Sequence, residues 1–257
     1  MTDKSEGIGP DQMPLDPKMK TILKAELIQA GKQTGIEISP IQGDQFMDYM
    51  EEMLNYNRHT NLTAIREPMD ILYKHFIDSL LVLKGGGLHD HSSLIDVGSG
   101  AGFPGIPLGI LRKDLSVTLN DSNGKRTRFL EQVSKKLGLD CQILKGRGEE
   151  LGRLKNHREQ YDYVTARAVS SLAKLSEYCL PLVKLGGEMI AMKGPDIQKE
   201  IEEGEAAISL LGGRIIACWE GTLPKGEKRR ILRIQKLRKT PDQYPRNGGV
   251  IQRKPLS

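Results

Sequence analysis

The chain has 257 residues, 38% of them apolar, with 28 glycines, a composition within the range of globular proteins and outside that of wholly disordered ones. No apolar run approaches the ~18–20 residues that a membrane helix needs, and the opening MTDKSEGIGPDQMP lacks a signal-peptide core, so a soluble, cytoplasmic protein is expected. The net charge of +5 is unevenly held: residues 224–257 carry +9, leaving −4 for residues 1–223, which points to a polyanionic partner or to a solvated basic tail.

Residues 1–17, with Pro10, Pro14 and Pro17 among small and polar neighbours, read as a disordered leader. Residues 18–92 read as a helical cap of three helices. Ile22, Leu23, Leu27 and Ala30 share a face of the first; Phe46, Met47, Met50, Met53, Leu54 and Asn57 recur at helical spacing in the second. Pro68 opens the third, with Leu72, Phe76, Leu80 and Leu83 behind it. The methionines suit core filling rather than a cofactor box.

From Ser93 to residue 237 the rhythm changes. Seven short runs have strand character: LIDV (94–97), VTLND (117–121), CQIL (141–144), YDYVTA (161–166), GEMIAM (187–192), RIIACWE (214–220) and ILRIQKL (231–237). Helical patterns separate most of them: GKRTRFLEQVSKKLG, SLAKLSEYCLPLVKLGG and IQKEIEEGEAAISLLGG. Alternation of strand and helix predicts an α/β, doubly wound, mostly parallel sheet; with no helix after residue 237, the last two strands should form a hairpin, the last one antiparallel. Residues 238–257, basic and rich in Pro and Gly, read as an extended arm. Cys141, Cys179 and Cys218 match neither a disulfide framework nor a metal-ligand spacing and read as buried, reduced thiols. No metal is expected, since the His89-Asp90-His91 stretch has no third ligand nearby.

The stretch LIDVGSGAGFPGIP, residues 94–107, carries the chemistry. A strand ends at Asp96 and Val97, and Gly98, Gly100 and Gly102 follow where an open parallel sheet keeps its ligand crevice. The dinucleotide fingerprint G-x-G-x-x-G would need glycine where Phe103 stands, and Asp96 disfavours a pyrophosphate. An acid before G-x-G-x-G suits a cationic ligand without phosphates, as S-adenosylmethionine is. Asp121 ends the second strand 19 residues after Gly102, the place of a ribose-binding acid, although Asp121 and Ser122 also suit a helix cap. Lys125, Arg126 and Arg128 crowd the first turns of the next helix, against its macrodipole; a phosphate-bearing substrate accounts for them, as does plain solvation. Gly148 and Glu149 follow the third strand at the adenine edge, Arg167 ends the fourth in the crevice, and Lys193 ends the fifth similarly.

NLTAI (61–65), KHFIDSL (74–80), LIDVGSGAGFPGIPL (94–108), NDSNGKRTRFL (120–130), RGEEL (147–151), TARAV (165–169) and AMKG (191–194), in this order, resemble the bacterial glucose-inhibited division protein B family of small-subunit rRNA methyltransferases. The likeness runs from about residue 20 to about residue 240. It implies a class I, Rossmann-like methyltransferase that places a methyl group on N7 of one guanine in 16S ribosomal RNA of the small subunit. It also implies cofactor contacts at Gly98, Phe103, Gly148, Glu149 and Arg167. Asp96, Gly100, Gly102 and Asp121 join that set on the physical argument above. Guanine N7 carries a lone pair and no proton, so in-line transfer needs no general base, and positioning should dominate catalysis. Arg167 and Lys193 are then the candidates for orienting base or cofactor. Lys125, Arg126, Arg128, Arg229, Arg230 and Arg246 are the candidates for gripping RNA phosphates. A monomer is expected. The rival readings are a catalytically silent RNA-binding or ribosome-assembly factor, and a methyltransferase acting on a small molecule or protein.

Overall fold

A computed structural model describes residues 15–167 and 170–256. Most of the expected leader (residues 1–14), the end of TARAV (residues 168–169) and Ser257 lie outside the described residues.

The helical region begins with α1 (Pro17–Gln33), where the Asp16 side chain caps the first turn by accepting from Lys18 N. Pro17 thus belongs to the helix rather than to the leader, as proline at N1 allows. Its buried stripe is Leu23, Leu27 and Ala30, whereas Ile22 is 60% exposed because it stands one residue, about 100°, off that stripe. Helix α2 (Pro40–Asn57) starts in a Ser39–Gln42 capping box and buries Phe46, Met47, Met50 and Met53. From Pro68 one helical segment runs through α3 (Pro68–Ile71), a π-helical turn (Leu72–Ile77), α4 (Asp78–Leu80) and α5 (Val82–Gly85). Such π turns often mark functional sites.

The seven strands are β1 (Ser93–Val97), β2 (Ser116–Asp121), β3 (Cys141–Lys145), β4 (Tyr161–Arg167), β5 (Val183–Lys193), β6 (Gly213–Thr222) and β7 (Lys228–Lys236). They form one sheet of order β3-β2-β1-β4-β5-β7-β6. Pairings are parallel from β3 to β5, while β7 runs antiparallel to both β5 and β6, so the predicted hairpin is present. The order reverses at β1, so the crevice outside the ends of β1 and β4 is the place where such a sheet binds ligands.

Two cores flank the sheet. One gathers the cap with α6 (Gly105–Leu111) and α7 (Gly124–Lys136); the other gathers Leu151 of α8 (Gly148–Leu151), α9 (Leu172–Cys179), α10 (Gln198–Leu210) and Tyr244. Helix α9 ends before LPLV because Pro181 cannot extend it, and Val183 already belongs to β5. The three cysteines are free, but only Cys179 is buried; Cys141 is half-buried and Cys218 exposed, on the edge strand β6. The expected extended arm is instead packed. Its Tyr244, Pro245 and Ile251 are buried, and it ends in a short helix, α11 (Gly248–Arg253). Apolar side chains inside the basic stretch supply that packing, and composition alone conceals them. No helix among the described residues is long and apolar enough to cross a membrane.

Candidate active site

The glycine loop leaves β1 and is held from both sides. From below, Asp96 is fully buried; its carboxylate accepts from Gly105 N (3.1 Å) and Thr165 Oγ1 (3.3 Å). Burial pushes its pKa up to about 6. From above, the Tyr49 hydroxyl of α2 donates to the Ala101 carbonyl. Ser99 ties the loop to β2 through Asn120, whose side-chain amide donates to Leu144 O and Gly146 O, both at 3.0 Å, and so fixes the turn after β3 as well.

At the front of the loop Gly98 has φ +72°, and a Cβ placed there would have no heavy atom within 4 Å. That is an open cradle of backbone. Beside it, the Asp121 carboxylate accepts from Gly100 N (3.0 Å) and Asn123 N (2.8 Å). The cap of α7 is Asn123, accepting from Lys125 N, so Asp121 is not the helix cap. The cleft is walled by Gly98, Asp121, Ser122, Arg126, Gly148, Glu149, Arg167, Tyr178 and Gln252.

Arg167, at the end of β4, also walls a second cavity with Ile65, His75, Asp78, Met192, Lys193 and Arg229. Its guanidinium lies 4.7 Å from the Phe103 ring centroid and donates to Lys74 O (3.2 Å), Asp78 (3.4 Å) and His75 Nδ1 (3.1 Å). His75 Nδ1 lies between Arg167, which can only donate, at 3.1 Å and Lys74 O, which can only accept, at 3.2 Å; the shorter contact leaves Nδ1 as the acceptor and turns Nε2–H to Thr63 Oγ1 at 2.9 Å. Burial, with the Arg167 charge beside it, pulls the His75 pKa down to about 3. The ring stacks on Phe103 at 4.5 Å. Asp78 is shared between Arg167 and Arg229 (2.7 Å), and burial nevertheless raises its pKa.

A family model described as rRNA small subunit methyltransferase G matches residues 42–221. The chain belongs to that family. Ribosomal RNA small subunit methyltransferase G of Alkaliphilus metalliredigens is 45% identical over 227 residues, covering 88% of this chain and 95% of its own. The protein of that name from Desulforamulus reducens is 44% identical over 238 residues, covering 91% and 99%. Among solved structures, a branched-chain polyamine synthase mutein of Thermus thermophilus matches with a TM-score of 0.52 at 14% identity, over 75% of this chain and 64% of its own, a likeness of fold. Membership of the methyltransferase G family makes this chain an enzyme, a methyltransferase on a class I, Rossmann-like sheet.

The structure distributes the expected site residues unequally. Gly98, Asp121, Gly148, Glu149 and Arg167 meet in the cleft. Asp96 does not reach it: its carboxylate is spent on Gly105 and Thr165, so it holds the loop rather than a ligand. Gly100 turns its N–H to Asp121, and a Cβ on Gly102 would collide with Ile106 and Tyr49. The Phe103 ring is buried between Tyr49, His75 and Arg167, outside the cleft lining. Lys193 walls the second cavity, yet its ammonium is occupied by Ser170 O (2.7 Å) and Glu200 (2.6 Å).

The expected RNA contacts divide likewise. Lys125 and Arg128 are exposed and in no ion pair among the described residues. Arg126 pairs with Asp121 at 3.4 Å, Arg230 with Glu220 at 2.6 Å, and Arg229 with Asp78. Arg246 binds both oxygens of the fully buried Glu177 (2.8 and 2.7 Å), which corrects its assignment as a phosphate grip. Sequence reasoning passed over Tyr49, Asn120, His75, Asp78, Tyr178 and Gln252. KHFIDSL enters the family resemblance, but nothing local tells that His75 and Asp78 turn toward β4.

Proposed function

We propose that the chain transfers the methyl group of S-adenosylmethionine to N7 of a guanine in 16S ribosomal RNA of the small subunit. The single observation that carries this reading is Arg167, a common wall between a glycine-cradled cleft and a second cavity of apolar and cationic lining. One cleft suits a nucleoside with an amino-acid tail. The other suits a flat base brought out of its stack.

The residues fit that ligand on their own geometry. Gly98 leaves backbone open to close approach, Asp121 stands where ribose hydroxyls are accepted, and Gly148 with Glu149 closes the far edge. Held there, S-adenosylmethionine would supply a sulfonium methyl, its C–S bond giving way to an N7–C bond as the positive charge moves to the base, which leaves the protein no proton to remove. What remains for the protein is placement. Arg167 is pinned by Lys74, His75, Asp78 and Phe103, so its guanidinium is a fixed edge for cofactor and base. Lys125 and Arg128, exposed in the first turns of α7, suit RNA phosphates.

The test uses purified protein, labelled S-adenosylmethionine and small ribosomal subunits from cells lacking the enzyme. Reverse transcription after borohydride and aniline cleavage maps N7-methylguanine. A single stop in 16S RNA is expected; cofactor binding without transfer to RNA would overturn the reading.

A further inference from the structure

The tail was expected to reach for RNA, but its side chains lead elsewhere. Beyond the Arg246–Glu177 pair, Arg158 donates to Thr240 O and Tyr244 O, both at 2.7 Å, and lashes the segment to the loop before β4. Helix α11 then lies on the rim of the cleft. Gln252 Nε2 donates to the Tyr178 hydroxyl at 2.9 Å, and both residues line the cleft itself. Gly248 is the telling position: a Cβ built there would sit 2.0 Å from Glu149 Oε1. The tail backbone therefore presses directly on a cleft-lining carboxylate, and only glycine leaves that carboxylate where it is. Glu149 is itself buried, where the tail meets the cleft.

From this we infer that the C-terminal segment is the outer wall of the cofactor cleft: Gly248 is a positioning residue that sets the Glu149 carboxylate, and Gln252 with Tyr178 completes the same edge. The inference rests on reading the cleft as the S-adenosylmethionine site. It gives the tail a purpose other than phosphate binding, and it explains why a basic segment should contain buried Tyr244 and Ile251.

The test measures binding of S-adenosylhomocysteine by calorimetry to the full chain and its variants. In Gly248→Ala the added methyl meets the far end of a flexible side chain, so the fold should survive while Glu149 swings away. An about tenfold weaker Kd is expected, the worth of one misplaced hydrogen bond to a charged group, with an unchanged melting temperature. In a Glu149→Ala background the same substitution should cost nothing further, because its effect passes through that carboxylate. Gln252→Ala, at an exposed residue, should weaken binding several-fold and serves if Gly248→Ala proves unstable. Wild-type affinity in both Gly248→Ala and Gln252→Ala, or full additivity of Gly248→Ala with Glu149→Ala, would overturn the inference. Failure of the wild-type chain to bind S-adenosylhomocysteine would instead remove the cofactor reading beneath it.

Discussion

His75 and Asp96 should pull the acid stability of this protein in opposite directions. His75 holds its proton only below about pH 3 in the fold and below 6.5 when unfolded. The unfolded chain thus binds more protons between those values, and stability falls as pH drops through 6.5. Asp96 is reversed. Its folded pKa of about 6 lies above the ordinary 3.8, so the fold takes up the proton first and gains stability as pH drops through 6. At ~1.4 kcal/mol per unit, going from about pH 7.5 to about pH 4.5 removes about 3 kcal/mol through His75 and returns about 2 through Asp96. The wild-type profile conceals both. His75→Asn keeps an acceptor for Arg167 but cannot titrate; Asp96→Asn keeps an acceptor for Gly105 N and cannot ionise. In urea melts across that range, His75→Asn should lose the downward limb, so its stability difference from wild type should shift by about 3 kcal/mol toward the variant in acid. Asp96→Asn should steepen the fall by about 2 kcal/mol. Asp78, whose pKa burial also raises, is present in every protein and drops out of the differences. A His75→Asn profile parallel to wild type would refute the buried, neutral histidine.

Three further outcomes follow from single contacts. Tyr49→Phe leaves the Ala101 carbonyl without its donor in a buried loop and should cost about 1–3 kcal/mol in chemical denaturation, with weaker S-adenosylhomocysteine binding; unchanged values for both would mean the cap does not hold the loop. Gly98→Ala forces a side chain to φ +72°, about 1–2 kcal/mol of strain, and sets a methyl in the open cradle, so calorimetry should show cofactor affinity falling far more than stability. Arg128→Ala should weaken RNA binding and reduce the slope of log K against log salt by about 0.7–0.9 while cofactor affinity stays; an identical slope takes Arg128 out of the RNA footprint.

How much of this could be read from residues alone depends on whether the signal is local. Strand–helix alternation, the glycine loop and the position of Asp121 are local, and the doubly wound sheet, its final hairpin and the cleft follow from them; the reversal of strand order at β1 depends on long-range pairing and does not. Burial of a charged group is not local. Asp96 before G-x-G-x-G looks the same whether its carboxylate meets a ligand or, as here, Gly105 N and Thr165 Oγ1. Arg246 sits in a stretch whose composition says solvent, and only the partner Glu177, 69 residues away, turns it into a buried pair. Ile22 failed for a simpler reason: an apolar residue adjacent to a stripe is about 100° off it, and the stripe is complete without it.

The cap bears on the site twice, by lending Ile65, His75 and Asp78 to the second cavity and through a relay of contacts to Arg167. Asn57, at the end of α2, accepts from Leu62 N (2.8 Å) and donates to Thr63 O (2.9 Å), folding NLTAI back onto the helix. Thr63 meets His75, His75 accepts from Arg167, and Arg167 stands between the two cavities. Thus NLTAI and KHFIDSL, both outside the sheet, bear on one guanidinium at the end of β4. A rigid Arg167 needs that much support: its charge is largely buried, and an unpaired guanidinium there would swing to solvent or to the nearest carboxylate. The Asp78 carboxylate alone would draw it one way; Lys74 O, His75 Nδ1 and the Phe103 face balance that pull. The π turn serves the same end, because Lys74 O and His75 Nδ1 come from that widened turn and meet one side chain together.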